Sequence, residues 1–179
     1  CIPRRTTKSA ISHNKFMIRI RAGTPEAVWT GGTNFSEGGI FGQSNVGEIV
    51  EDTGVARKYL QYWELLAGDP TNASLKPRVD ALSPVPVGKP PVGNSVIFSP
   101  RGSLDVLQWY AERAREAEHA LFMTFAFGMN DLFKEVYRSG RAPLRFAVME
   151  KASGPKRTAE AREEEPAVGN VGIGAGHAG

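Results

Sequence analysis

His13 and Lys15 are separated by one residue. On a strand, side chains at i and i+2 share a face, so an imidazole and an ammonium would project together. Nineteen residues after Lys15 comes Asn34, inside the glycine-rich run Gly31-Gly32-Thr33-Asn34-Phe35-Ser36-Glu37-Gly38-Gly39. Brought together, these groups suit phosphoryl transfer. The imidazole can attack phosphorus or pass a proton. The lysine and the amide can neutralise the oxygens of the transition state. Gly31 and Gly32 let backbone approach an anion closely, with Thr33 beside them. No metal or other cofactor is required if these groups do the electrostatic work. Taken singly, His13 and Lys15 are an ordinary exposed pair, and Asn34 is ordinary turn chemistry. The three in one pattern favour catalysis.

The flanking elements must deliver that convergence. Ser12 to Ile20 alternates polar with aromatic and β-branched residues, which predicts a strand. Ala22-Gly23-Thr24-Pro25 is turn chemistry, and Glu26 to Thr30 reads as a hairpin partner. If that partner pairs back along the first strand, the glycine-rich loop ends beside His13. Val46 to Val50 predicts a third short strand. Asp52 or Thr53 can cap a helix to about Ala67, with an apolar stripe at Val55, Tyr59, Tyr62 and Leu66. Gly68 and Pro70 end it.

Residues 83–95 hold four prolines and read as an extended linker. Beyond it, Val96 to Pro100 predicts a strand. Ser103 is expected to cap a helix with a stripe at Leu104, Leu107, Ala111, Ala114, Ala117 and Leu121. Leu121 to Phe127 predicts a strand, Asn130 or Asp131 caps a helix closed by Gly140, and Leu144 to Met149 predicts a last strand. This order implies an α/β fold, a layered sheet with flanking helices. From Ala152 the chain has no aromatic residue, carries Arg162-Glu163-Glu164-Glu165 and ends in a glycine-rich run. We expect 152–179 to be disordered, with no role for His177.

Ser12-His13-Asn14-Lys15-Phe16, followed by Trp29-Thr30-Gly31-Gly32-Thr33-Asn34-Phe35, resembles the phospholipase D-like superfamily. Its motif runs His-x-Lys, four residues, Asp, then Gly-Ser-x-Asn downstream. Phe41-Gly42-Gln43-Ser44-Asn45-Val46-Gly47-Glu48 resembles the family's continuation. Two positions depart: Ile20 stands at the aspartate and Gly32 at the serine. The resemblance implies a metal-independent phosphodiesterase acting through a phosphohistidine intermediate. His13, Lys15 and Asn34 would be catalytic, and Gly31, Gly32 and Thr33 would bind phosphate. The substrate would be a phospholipid or a nucleic acid.

Family members build one active site from two such motifs, and this chain has one. The resemblance therefore implies an incomplete two-repeat unit. Residues 1–82 would end a first repeat, 83–95 link, 96–151 open a second, and 152–179 form the tail. The partner motif would come from missing sequence or a homodimer partner, leaving this fragment inactive alone. The alternative is a catalytically dead phosphate- or nucleic-acid-binding module.

Composition bounds these readings. The chain has 179 residues, 41% hydrophobic and 23% charged, enough for one ordinary domain with or without a tail. A single cysteine, Cys1, excludes an internal disulfide framework, and three histidines exclude a histidine-rich metal cluster. No apolar run approaches the roughly 20 residues that span a bilayer, and no basic-then-apolar leader is visible. A start at Cys1 rather than Met leads us to expect an incomplete or processed protein. The lone cysteine permits the cytoplasm without requiring it. The net charge of +3 is small, but residues 1–25 hold Arg4, Arg5, Lys8, Lys15, Arg19 and Arg21 without an acid. Such an excess favours phosphate-bearing ligands.

Overall fold

A computed structural model describes residues 13–126 and 128–149. The expected tail 152–179, together with Ser12, Arg4, Arg5 and Lys8, lies outside the described residues. The protein is mixed α/β, and its strands form two small sheets rather than one. The chain divides into two compact units after Ser103.

The first unit opens with an antiparallel three-stranded sheet of order β1-β2-β3: β1 (Lys15–Arg21), β2 (Thr24–Gly31) and β3 (Gly47–Val50). Ala22 and Gly23 both take positive φ, 47° and 79°. Such a two-residue hairpin matches the twist of the strands it joins. Alternation then sorts β1. Phe16 and Ile18 pack against a core of Val28, Val55, Tyr59, Tyr62, Leu75, Val79 and Phe98. Lys15, Met17 and Arg19 fall on the opposite face.

Between β2 and β3 the glycine-rich loop contains a short helix, α1 (Glu37–Phe41), capped by Ser36. Helix α2 (Thr53–Ala67) starts at Asp52, whose Oδ1 accepts from the Gly54 and Val55 amides at 2.8 and 3.0 Å. Its buried face is Val55, Ala56, Tyr59 and Tyr62. Helix α3 (Asn72–Leu82), capped by Thr71, has no counterpart in the sequence reading. It carries Pro77 in its interior, where proline removes one helical donor.

The proline-rich stretch after Ser83 contains no helix or strand. Residues 96–100 also form no strand, contrary to expectation. They are an extended strap on the first core rather than the start of a second unit. The Phe98 ring stacks on Tyr62 at 4.4 Å, and its amide donates to Ser83 Oγ at 3.0 Å. Arg101 secures the strap. Its Nε pairs with Asp80 at 2.9 Å, and its Nη1 donates to the Ser83 carbonyl at 2.6 Å. The first unit therefore runs through Ser103, past the boundary expected at 96.

The second unit contains α4 (Asp105–Arg115), β4 (Ala120–Phe125), α5 (Asp131–Ser139) and β5 (Leu144–Met149). β4 and β5 pair in parallel, from Ala120↔Leu144 to Phe125↔Met149. A parallel pair needs a crossover, which α5 supplies. Asn130 caps α5 by accepting from Leu132 N at 3.0 Å. The expected Ser103 cap on α4 is replaced by Leu104, which makes no side-chain cap bond. The expected stripe also stops early, since α4 ends at Arg115 and Leu121 belongs to β4. Val106, Ala111, Val136, Ala142 and Ala147 are buried. The Phe122 and Phe146 rings stack at 5.3 Å.

Candidate functional site

The hairpin register decides how the candidate residues meet. Lys15 pairs with Gly31, the first residue of the glycine-rich loop. The end of β2 thus returns to the start of β1, as the convergence of His13 with the loop requires. His13 is exposed and lies two residues before β1. It is joined to Lys15 differently from the expected pair of strand side chains: Lys15 Nζ donates to the His13 backbone carbonyl.

Two tyrosines of α2 support this end of the strand from the core side. Asn14 Nδ2 donates to Tyr62 Oη at 3.4 Å, and that hydroxyl donates to the Ser99 carbonyl at 2.6 Å. Tyr59 Oη donates to Thr30 Oγ1 at 3.1 Å, and Thr30 Oγ1 in turn donates to the Lys15 carbonyl at 3.5 Å. Burial pushes the Tyr59 phenol up, and the Glu48 charge adds to this against the opposing Thr30 bond. Tyr59 therefore stays a protonated donor at neutral pH. Phe16 packs between the two tyrosine rings, at centroid distances of 5.1 and 6.1 Å.

The loop is glycine-rich for identifiable steric reasons. A Cβ on Gly31 would overlap the Val46 carbonyl oxygen and come within 2.8 Å of Gly47 Cα. One on Gly39 would overlap the Asn34 carbonyl, and one on Gly47 would lie 2.7 Å from the Trp29 ring. Gly32 donates its N–H to the Val46 carbonyl at 3.0 Å. That amide is therefore committed to the chain. Asn45 Nδ2 clips the loop by donating to the Gly39 carbonyl at 3.0 Å.

Asn34 is exposed, and its carbonyl accepts from Ser36 N at 2.9 Å. Thr33 is half-buried. No hydrogen bond joins the side chains of His13, Lys15 and Asn34 to one another among the described residues. The hairpin thus brings Lys15 and Gly31 together, and it leaves His13 and Asn34 exposed at the same end of the sheet.

Sequence reasoning did not single out Asn45, the Tyr59–Thr30 link, or the Trp29–Phe35 ring pair at 4.7 Å. Trp29 pairs with Met17 and so shares the Lys15 face of the sheet. The register alone reveals that placement. Among the described residues no group of three His, Cys, Asp or Glu side chains could hold a metal ion, and no helix is long and apolar enough to cross a membrane. The chain matches no protein-family model, no curated protein and no solved structure.

Proposed function

We propose that the chain carries half of a metal-independent phosphodiesterase site of the phospholipase D-like kind. The observation that carries this reading is the Lys15–Gly31 pairing, which sets a His-x-Lys sequence beside a Gly-Gly-Thr-Asn loop. An imidazole nitrogen of His13 donates its lone pair to phosphorus, and the bond from phosphorus to the leaving oxygen breaks. A second histidine gives that oxygen its proton, and water then cleaves the phosphohistidine. Lys15 and Asn34 stabilise the charge on the non-bridging oxygens. The substrate is a phosphodiester, in a phospholipid or a nucleic acid.

The second histidine comes from another His-x-Lys motif, in further sequence or in a second copy of the chain. On this reading the first unit ends one phospholipase D-like repeat and the second unit opens the next. Taken alone, the chain turns over no substrate. Complemented by a second motif, it hydrolyses a chromogenic phosphodiester in the presence of a chelator. Loss of that turnover in chelator contradicts the reading, as does turnover untouched by His13→Ala.

A second reading, a phosphate- or nucleic-acid-binding module without catalysis, is favoured by one observation: glycine stands at position 32, where the family motif has serine. Phosphate binding at His13 without turnover in the complemented protein would select this second reading.

A further inference from the structure

The second unit holds a charged cleft of about 250 Å³ lined by Glu112, Arg113, Arg115, Glu116 and Arg141. Its charges are unevenly matched. Arg113 Nη2 lies 2.8 Å from Glu116 and 4.0 Å from Glu112, so one cation engages both carboxylates. Its guanidinium also sits 6.0 Å from the Trp109 ring centroid. Among the described residues, Arg115 and Arg141 pair with no acid.

The turn that bears Arg141 is held from inside the protein. Arg145 is 8% exposed, and its Nη1 donates to the carbonyls of Gly140 and Ala142 at 2.7 and 2.6 Å, the two residues flanking Arg141. Its Nε is buried without a partner, and no acid pairs with it among the described residues. A buried guanidinium answered only by carbonyls keeps its charge uncompensated. The backbone on either side of Arg141 is therefore held, and Arg145 adds a positive potential to the turn.

Cations in the last turn of a helix complement its dipole. That accounts for Arg113 and Arg115 on α4. It accounts for neither Arg141, which lies between α5 and β5, nor the buried Arg145. We propose that the cleft binds a phosphate group, gripped by the guanidinium forks of Arg115 and Arg141. The three arginines and two glutamates that line the cleft leave it a net charge of +1, and the two guanidinium forks without an acid partner among the described residues can each bind two oxygens of the anion. The volume leaves room for the group that carries the phosphate. This site stands apart from the His13 reading and does not depend on it.

The test is a ¹H–¹⁵N NMR titration of the intact chain with inorganic phosphate, at ionic strength held constant with sodium chloride. The expected result is saturable movement of the Arg115 and Arg141 signals and of the amides at 140–142. Arg115→Gln and Arg141→Gln should each weaken that binding at least tenfold, and Arg141→Gln, which lies outside the helix, should leave the phosphate-free melting midpoint unchanged. Movement at His13 and Asn34 reports the other site and is scored separately. No saturable movement at Arg115 and Arg141, equal affinity in the double variant, or the same movement with chloride alone overturns the proposal.

Discussion

Lys15 stands opposite Gly31 in the β1–β2 ladder, and Gly31 can occupy that place only without a side chain. The third strand runs past Gly31 so closely that any Cβ meets the Val46 carbonyl. The same small residue therefore closes the sheet and opens the loop that carries Asn34. Gly31→Ala should cost about 1–3 kcal/mol through overpacking, read as a lower urea midpoint with an unchanged slope. An alanine variant as stable as the parent would show that β3 does not pass as close as described.

The catalytic reading predicts an ordering of variants in the complemented protein. His13→Ala abolishes turnover, because the nucleophile is gone, and leaves the fold intact, because the ring is exposed. Lys15→Ala lowers kcat by about 10²-fold, or ~3 kcal/mol, the usual loss of a transition-state donor. Steady-state rates and melting curves measured together decide it. A rate loss that tracks a stability loss in both variants contradicts the assignment.

Arg101, just past the strap 96–100, ties that segment to α3 and Ser83. Arg101 is nearly buried and bonds Asp80 and Ser83 together. Arg101→Met would leave the Ser83 carbonyl and the Asp80 carboxylate without this partner. The Asp80 side chain is about a third exposed, so the expected cost is moderate, about 2 kcal/mol, below that of breaking a fully buried pair. Limited proteolysis should then cut within 84–103 sooner than in the parent. Unchanged cleavage there would mean that Phe98 packing alone holds the strap.

Acid should loosen the helix starts first. The Val55 amide, then Asn94, hold the Asp52 carboxyl below its ordinary value of 3.8, and the Lys134 bond does the same for Asp131. A carboxyl lowered in the folded state contributes its full stability above the unfolded value and loses it as pH falls through the folded value. Stability should therefore decline below about pH 4, and Asp52→Asn should flatten part of that decline while keeping a capping oxygen. Urea midpoints between pH 2 and 6 check it, and parallel curves for parent and variant contradict it.

Much of the first unit was legible locally. Alternation marks β1, Ala22-Gly23 marks the turn, and Asp52 marks the start of α2, since each signal lies within a few residues of its effect. Helix α3 was not legible, because Pro77 interrupts it and its buried residues are only Leu75 and Val79. Val96-Ile97-Phe98 has strand composition, yet its partners are the Ser83 hydroxyl and the Tyr62 ring, which no local pattern announces. At the site, the spacing of His13, Lys15 and Asn34 was readable. The commitment of the Gly32 amide to Val46 depends on where β3 returns, which is a tertiary fact.

The most direct measurement of the central claim is the response of the His13 ring and the Asn34 side-chain amide to added inorganic phosphate. If the hairpin end is a phosphate site, both signals move with one common affinity, and His13→Ala weakens the response at Asn34. Signals that do not move, or that move with unrelated affinities, would contradict the account.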